Sequence, residues 1–198
     1  PDRRIDAQAY ETLVARRIAG EPVAHITGRR EFWSLDLAVT ADVLIPRPDS
    51  ETLIEVAIAQ LPQPPRRILD LGTGSGALLL AALSHWQAAT GLGIDASAAA
   101  LAVARSNAQR TGLAGRATFQ PGNWADGLTE QFDLILSNPP YIADNEALSD
   151  QVRRHEPAQA LFAGADGLDA YRVILPQLAG LLAVGGLAVV EIGHTQAG

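Results

Sequence analysis

Short apolar segments alternate with longer amphipathic segments from residue 67 onward. The apolar segments have the length of buried strands, and the amphipathic ones carry apolar residues at helical spacing. This alternation predicts an α/β fold in which a parallel sheet is covered by helices on both faces. We expect strands at 68–71, 92–95, 117–120, 132–137 and 187–192, and helices at 77–88, 98–109 and 170–182.

The segment before residue 43 shows a different pattern. Apolar residues at positions 5, 9, 13 and 18 fit one helix, which ends at Gly20, a residue typical of helix C-termini. Residues 31–39 alternate partly between apolar and polar, which indicates a strand or hairpin. We therefore expect the end of a helical domain at 1–20, a hairpin linker at 21–42 and the α/β domain at 43–198.

A further helix is predicted between two groups of prolines. Pro46 and Pro48 precede Asp49-Ser50-Glu51, a sequence typical of a capped helix start. Apolar residues follow at helical spacing, and the prolines at 62, 64 and 65 end the helix. Arg47 and Glu51 flank this start, and they are either contacts for a ligand at the sheet edge or partners in a salt bridge at the helix start.

Composition and charge narrow the function classes. Of the 198 residues 47% are hydrophobic, as in globular proteins, and the net charge is −7. Stable nucleic-acid binding is therefore not expected, because it depends mostly on clustered cations. No apolar run approaches the roughly 20 residues that a membrane span requires, and the absence of cysteine is typical of the reducing cytoplasm.

Two further absences bear on the organisation of the protein. The four histidines show no short metal-ligand spacing and no thiolate is available, so we assign no metal. The sequence contains no methionine and begins at Pro1. We therefore expect a piece of a longer protein, with the final strands of the sheet beyond residue 198.

A glycine-rich loop, Gly72-Thr73-Gly74-Ser75-Gly76, follows the first strand of the α/β domain and leads directly into a helix. Glycine permits a tight turn and a close approach of a ligand to the backbone, and the helix N-terminus offers unpaired N–H groups. Asp70, two residues before the loop, suits a cationic ligand. The loop predicts a nucleotide-type site, with an ordinary glycine turn as the alternative.

Two other residues follow the next strands. Asp95 ends a strand about 20 residues beyond the glycine loop, where an acid accepts hydrogen bonds from ribose hydroxyls in dinucleotide folds. Alternatively, it caps the helix that begins near Ser97. Trp124, after the third strand, offers a flat face to a base or belongs to the core. Parallel strands end at one edge, so we expect all these residues there.

The fourth strand delivers Asn138-Pro139-Pro140-Tyr141 to that edge. Proline restricts the residue before it to extended conformations and has no N–H, so the loop presents acceptors. The Asn138 side-chain oxygen and the Pro139 carbonyl can accept both hydrogens of one planar NH2 group, and Tyr141 can pack on that group. This grip would free the nitrogen lone pair for attack. The sequence predicts Asn138, Pro139 and Tyr141 as catalytic residues, with a proline-rich turn as the alternative.

The order of strand, Gly-x-Gly-x-Gly loop, helix, strand and acid resembles the class I S-adenosylmethionine-dependent methyltransferases, whose sheet is Rossmann-like. This resemblance implies that S-adenosyl-L-methionine binds at the edge and leaves as S-adenosyl-L-homocysteine. It implies that Asp70 and the loop lie near the methionine moiety, Asp95 near the ribose and Trp124 against adenine. Asn138 is expected beside the cofactor as well.

Other segments resemble a narrower family. They are Glu-Pro-Val-Ala-His-Ile-Thr-Gly at 21–28, Glu-Phe-Trp at 31–33, Ile-Pro-Arg-Pro-Asp-Ser-Glu at 45–51, Glu-Pro at 156–157 and Gly-Ala-Asp-Gly-Leu at 164–168. Together they are similar to the protein-(glutamine-N5) methyltransferases of the HemK/PrmC type. This resemblance implies methylation of the glutamine in the Gly-Gly-Gln loop of peptide chain release factors, the proteins of translation termination. Asn138, Pro139, Pro140 and Tyr141 would bind that glutamine.

Two other functions stay open at this point. An RNA or DNA amino-methyltransferase would use the same Asn-Pro-Pro-Tyr loop on an exocyclic base amine, and it predicts a basic stripe around Asn138. A noncatalytic domain that binds S-adenosylmethionine as a sensor or scaffold would need the glycine loop but not a cradle for NH2. The negative net charge disfavours the first, and the Asn138 loop disfavours the second.

Overall fold

The computed structural model describes residues 6–196, and it begins with two helices and a hairpin. These are α1 (Ala7–Ile18), α2 (Val23–Thr27), β1 (Arg29–Phe32) and β2 (Leu35–Ala38). The Asp6 side chain caps α1 by accepting from the N–H groups of Gln8 and Ala9, and Gly20 follows the helix with a φ of 91°. The predicted first helix is therefore confirmed, although Ile5 lies outside the described residues.

The hairpin is confirmed and has a two-residue turn. β1 pairs antiparallel with β2, from Arg29 opposite Ala38 to Phe32 opposite Leu35. Trp33 and Ser34 form the turn with φ angles of 50° and 61°, the left-handed values that a tight turn with the twist of paired strands requires. The turn thus accepts two residues that rarely adopt positive φ.

The remainder of the chain forms the α/β domain. Its elements are α3 (Glu51–Gln60), β3 (Arg67–Leu71), α4 (Ala77–His85), β4 (Thr90–Asp95), α5 (Ala98–Arg110), β5 (Ala117–Pro121), β6 (Phe132–Ser137), α6 (Asp150–His155), α7 (Asp169–Leu181) and β7 (Leu182–Val190). Short 3-10 helices lie at Pro48–Ser50 and Ala158–Ala160.

All five strands of the main sheet are parallel, in the order β5-β4-β3-β6-β7. The chain starts at the central β3, moves outward to β5, and returns to the other side of β3 at β6. This reversal leaves a crevice beyond the carboxyl ends of β3 and β6, where ligands bind in doubly wound folds. The predicted Rossmann-like fold class is confirmed.

Helices cover both faces of the sheet with separate apolar clusters. One cluster joins α3, α4 and α5 to the sheet and to Phe32 and Leu37 of the hairpin. The other joins α7 to the opposite face. Asn107 of α5 is fully buried, and its amide pairs with the backbone of Ala38 and with the Ser75 carbonyl. The hairpin and the glycine loop are thus held by one side chain.

The largest errors in the predicted boundaries lie in α4 and β7. The helix at 77–88 ends at His85, since the Arg116 guanidinium takes up the carbonyls of Leu83, Trp86 and Ala89. The last strand begins at Leu182 rather than 187 and ends at Val190. It carries a pair of glycines opposite a register shift in β6, where a Cβ on Gly186 would meet three carbonyl oxygens.

Two other differences concern helix starts. Helix α6 was not predicted; it is one short turn and a half whose start is capped by Ser149. Ser50, predicted as a cap of α3, makes no side-chain cap there. Its hydroxyl instead donates to the carboxylate of Glu191. No helix among residues 6–196 has the length and apolar character needed to cross a bilayer.

The packing of α4 on β4 generates one test of the fold. A Cβ added at Gly91 would clash with Leu79 Cδ1 and lie 3.2 Å from Leu79 Cγ, and Leu79 is fully buried. We expect Gly91→Ala to lower the free energy of unfolding by about 1–3 kcal/mol, the usual cost of overpacking. Urea denaturation measures this change. Gly115→Ala is the control, because no atom lies within 4 Å of its added Cβ; equal effects of both substitutions would contradict the packing argument.

Candidate active site

The carboxyl ends of the strands meet at one cavity. Its lining comes from both sides of the crevice and from the segment before α3. The main lining residues are Val43, Arg47, Ser50, Gly72, Thr73, Gly74, Ser75, Asp95, Gly122, Asn123, Trp124, Asn138, Pro140 and Gln159. The cavity therefore brings together the predicted glycine loop, the acid, the tryptophan and the asparagine, although Asp70, Gly76, Pro139 and Tyr141 do not line it.

The glycine loop turns sharply because three of its residues adopt left-handed backbone conformations. Gly72, Gly74 and Gly76 have φ angles of 72°, 53° and 81°, values that favour glycine. The N–H groups of Gly72 and Thr73 both donate to the Ile94 carbonyl at 2.9 Å, which ties the loop to β4. The backbone of the loop thus faces the cavity without side chains at alternate positions.

Asp70 lies beneath the loop rather than in the cavity. It is 1% exposed, and its Oδ2 accepts the Thr73 hydroxyl at 2.6 Å. Its Oδ1 has no hydrogen-bond partner among the described residues. Burial raises the pKa of Asp70 to about 7, although the Thr73 hydrogen bond opposes the shift. The carboxyl group therefore supports the loop and changes charge near neutral pH.

Asp95 holds the loop from the cavity side. Its Oδ2 accepts the Gly74 N–H and its Oδ1 accepts the Ser97 N–H, both at 2.8 Å. The cap of α5 is Ser97, whose hydroxyl accepts the Ala100 N–H. A carboxylate has about four acceptor positions, so each Asp95 oxygen can still accept a ligand hydroxyl.

Trp124 lies at the boundary between the cavity and the apolar core. Its ring lines the cavity and also packs against the apolar cluster under α7. The ring lies over Gly72, where a Cβ would be 3.2 Å from Cζ3. Its φ of 52° is rare for a bulky residue, and such backbone strain is concentrated at functional sites.

The Asn-Pro-Pro-Tyr loop follows β6 and reaches the cavity through Asn138 and Pro140. The Asn138 Nδ2 donates to the Ser50 hydroxyl at 2.9 Å, so the side-chain acceptor that remains is Oδ1. Pro139 is buried, and no described N–H donates to its carbonyl. The two acceptors predicted for an NH2 group are therefore not taken up by other donors.

Tyr141 is turned toward Glu191, the residue that follows β7. Its hydroxyl donates to Glu191 Oε1 at 3.3 Å. Burial, and then the charge of the Glu191 carboxylate, raise the pKa of Tyr141 above its ordinary value. The phenol therefore stays protonated at neutral pH and does not serve as a base there.

Two residues of the site were missed by sequence reasoning. The Ser50 hydroxyl donates to Glu191 Oε2 at 2.6 Å while it accepts from Asn138. Ser50 was not predicted as a residue of the site, because a serine directly before a helix is typical of a helix cap. Glu191 could have been found, because it follows a strand of a parallel sheet and must lie at the same edge as Asn138.

Arg47 and Glu51 take different partners. The Arg47 guanidinium pairs with Glu156 at 2.5 Å, and the Glu156 side chain is almost fully buried. Glu51 instead accepts the Trp33 N–H at 2.9 Å and so fixes the hairpin turn against α3. Of the two, only Arg47 lines the cavity.

Two models of known protein families match parts of this chain. The model described as Methyltransferase small domain matches residues 49–165, which contain the glycine loop, Asp95 and the Asn138 loop. The PrmC N-terminal domain model matches residues 2–28, the segment of α1 and α2.

Full sequences narrow the family further. The release factor glutamine methyltransferase of Rhodospirillum rubrum is 52% identical over 194 residues, which cover 97% of this chain and 60% of the relative. The enzyme of the same name from Caulobacter vibrioides is 46% identical in an alignment 203 residues long, which covers 99% of this chain and 70% of the relative. The chain belongs to the release factor glutamine methyltransferase family. It spans less than two thirds of the length of the Rhodospirillum family member.

Solved structures outside the release factor glutamine methyltransferase family share the fold. The ribosomal protein L11 methylase of Lactobacillus delbrueckii subsp. bulgaricus has a TM-score of 0.54 at 23% identity, over 76% of this chain and 64% of that chain. TrmN from Thermus thermophilus has a TM-score of 0.54 at 23% identity, over 74% of this chain and 38% of that chain. At such identities the likeness supports the fold alone.

The buried Asp70 makes the stability of this release factor glutamine methyltransferase family member depend on pH. The folded state holds the Asp70 proton up to about pH 7, whereas the unfolded chain loses it near its ordinary pKa of 3.8. The folded state thus binds more protons in this window, and its stability falls as the pH rises through it. Each pKa unit corresponds to about 1.4 kcal/mol.

The side-chain amide of the variant Asp70→Asn does not titrate, whereas the Asp70 carboxyl group loses its proton near pH 7. We therefore expect the free energy of unfolding of Asp70→Asn, relative to that of the wild type, to be higher at pH 8 than at pH 5. Urea unfolding of both proteins at the two pH values measures the difference. A stability difference that is the same at pH 5 and pH 8 would show that Asp70 does not titrate in this window.

Proposed function

We propose that this protein transfers a methyl group from S-adenosyl-L-methionine to the side-chain nitrogen of a glutamine in a protein, the Gly-Gly-Gln glutamine of a peptide chain release factor. The Asn138 amide carries the proposal. It stands in one cavity with the glycine loop and Asp95, and its oxygen is left as an acceptor because Ser50 holds its nitrogen.

The chain's own residues fit the methyl donor. The glycine loop has no side chains at its left-handed positions, so the methionine end can approach the backbone closely. Asp95 retains acceptor capacity for two ribose hydroxyls, and the Trp124 ring offers a flat apolar surface for adenine. Asp70 would act from below, through Thr73, on the position of this loop.

The reaction needs a nucleophile that an amide does not readily supply, because its nitrogen lone pair is delocalised. S-adenosyl-L-methionine, when bound, supplies an electrophilic methyl group on a positively charged sulfur. Asn138 Oδ1 and the Pro139 carbonyl would accept the two N–H bonds of the glutamine and so favour a pyramidal nitrogen. Transfer would form the N–CH3 bond and break the S–CH3 bond, and the nitrogen would release one proton to solvent. Positioning and electrostatics carry the rate.

The substrate class rests on the relatives and on the charges around the cavity. The relatives named above are release factor glutamine methyltransferases, which supports a release factor as the partner. Among the described lining residues Arg47 is the only lysine or arginine, and it is already paired with Glu156. The described lining of the cavity thus lacks the basic stripe that an RNA or DNA amino-methyltransferase would need, which disfavours that alternative.

The domain division follows from the same proposal. Residues 1–20 would end a helical domain that recognises the release factor, 21–42 would link it, and 43–198 would carry methyl transfer. Tyr10, Leu13 and Ile18 of α1 are exposed, as expected for a helix that belongs to a larger helical unit. The lack of cysteine is consistent with a cytoplasmic location.

The substrate and the role of Asn138 can be tested together. We expect the full-length protein, given methyl-labelled S-adenosyl-L-methionine, to label a release factor but neither RNA nor DNA. Asn138→Ala should lower transfer by roughly 10²–10³-fold, the cost of removing one preorganised electrostatic contact, while cofactor affinity changes only a few-fold. A release factor whose Gly-Gly-Gln glutamine is replaced by alanine is the control. Label found only in nucleic acid would refute the substrate, and full turnover by the variant would refute the role of Asn138.

The ribose contact has its own test. We expect Asp95→Ala to raise the Kd for S-adenosyl-L-methionine at least tenfold, since hydrogen bonds to a charged group contribute about 1.5–3 kcal/mol. Isothermal titration calorimetry measures this affinity. Glu55→Ala, on the exposed side of α3, is the matched control for loss of a carboxylate. An unchanged Kd for the Asp95 variant would remove the residue from the cofactor site.

A further inference from the structure

The orientation of the Asn138 amide decides whether it attracts or repels an NH2 group. Oxygen and nitrogen occupy nearly the same volume in an amide, so rotation by half a turn exchanges an acceptor for a donor without changing the shape. A donor facing the cavity would repel the two N–H bonds of a substrate amide. Something in the protein must therefore select one orientation.

We propose that Glu191, acting through the Ser50 hydroxyl, fixes the Asn138 amide with its oxygen toward the substrate; this inference rests on the proposed function. An ionised carboxylate only accepts hydrogen bonds. The Ser50 hydroxyl gives its one proton to Glu191 Oε2 at 2.6 Å, so toward Asn138 it can only accept. The Asn138 Nδ2, at 2.9 Å, is the group that can donate to it.

Glu191 is itself held by three neighbouring residues, two through its backbone and one through its carboxylate. The Glu191 N–H donates to the Ser137 carbonyl at 3.0 Å, which continues the pairing of β6 with β7. The Tyr171 hydroxyl of α7 donates to the Glu191 carbonyl at 2.9 Å. The Tyr141 hydroxyl donates to Oε1, so Oε2 is the oxygen that faces Ser50. Glu191 is therefore a positioning residue with a fixed place.

The Ser50 hydroxyl links Glu191 to Asn138 by one hydrogen bond to each. Ser50 is 4% exposed, directly precedes α3 and makes no side-chain cap hydrogen bond to that helix, although a serine at this position usually does. Its hydroxyl has one proton and two lone pairs. One contact on each side, to Glu191 and to Asn138, makes it a one-way link between acceptor and donor.

Glutamine at position 191 would reverse the link without changing its shape. The glutamine NH2 can donate to the Ser50 oxygen, which releases the hydroxyl proton to donate to Asn138 Oδ1. The Asn138 NH2 would then face the substrate. An effect of this isosteric change on transfer would therefore report polarity rather than packing.

The test measures kcat/KM for methyl transfer to a release factor by the full-length protein. We expect at least a tenfold loss for Glu191→Gln and for Ser50→Ala, and recovery to within a few-fold of the wild type for Ser50→Thr, which keeps the hydroxyl. The double variant Glu191→Gln/Ser50→Ala should lose no more than the worse single variant, because both changes break one chain. Cofactor Kd should stay within twofold, and Glu55→Gln, an exposed carboxylate on α3, should be neutral.

Three outcomes would overturn the inference. They are wild-type kcat/KM in Glu191→Gln, losses that multiply in the double variant, and losses of cofactor affinity or melting temperature that parallel the loss of transfer. Failure of the proposed function is separate, since it would appear in the wild type as label in nucleic acid instead of a release factor. The same variants, assayed on that base amine, would still test the orientation of Asn138.

Discussion

Parallel pairing of β3 with both β4 and β6 is the constraint on which the site depends. Parallel strands require crossover connections, so every strand ends at the same edge of the sheet. The reversal of strand order at β3 keeps two neighbouring connections apart and opens the crevice between them. Leu71 and Ser137, which are 66 positions apart, thereby end β3 and β6 beside one another. The chemistry of the site is a consequence of this arrangement rather than of any single motif.

Buried polar groups hold the loops at this edge in place. Asn107 and Glu156 are buried and make hydrogen bonds to backbone or to an arginine, so little is lost by removing them from water. Asp70 differs, because one of its oxygens has no partner among the described residues. An unsatisfied buried acceptor costs about 1–3 kcal/mol. This cost falls on the carboxyl group that supports the glycine loop through Thr73.

The sequence predicted the features that depend on neighbouring residues. The strand at 132–137 and the turn of the glycine loop follow from an apolar run and from glycines, and both lie where expected. The end of α4 was not predicted, because it depends on a residue far along the chain: Arg116, just before β5, donates to the Leu83 carbonyl of α4. The start of β7 was not predicted either, because the glycines at 185 and 186 lie inside the strand, opposite a register shift in β6.

The partners of polar residues were less predictable than the residues themselves. Asn138 could be singled out from its two prolines, whereas Ser50 looked like an ordinary helix cap. Its actual partner, Glu191, lies 141 residues further along the chain. Similarly, Arg47 pairs with Glu156 and not with nearby Glu51. Only tertiary packing selects among several acceptors that are chemically equivalent in the sequence.

The contact between Trp124 and Gly72 joins two parts of the cavity lining. Trp124 keeps a left-handed backbone that costs on the order of 1–3 kcal/mol, and a Cβ at position 72 would lie only 3.2 Å from Cζ3 of its ring. A larger residue at 72 would therefore disturb two features at once, the turn after β3 and the seat of a flat ring more than 50 positions later in the sequence. Position 72 and the Trp124 ring are therefore coupled by packing, and a substitution at one changes the space available to the other.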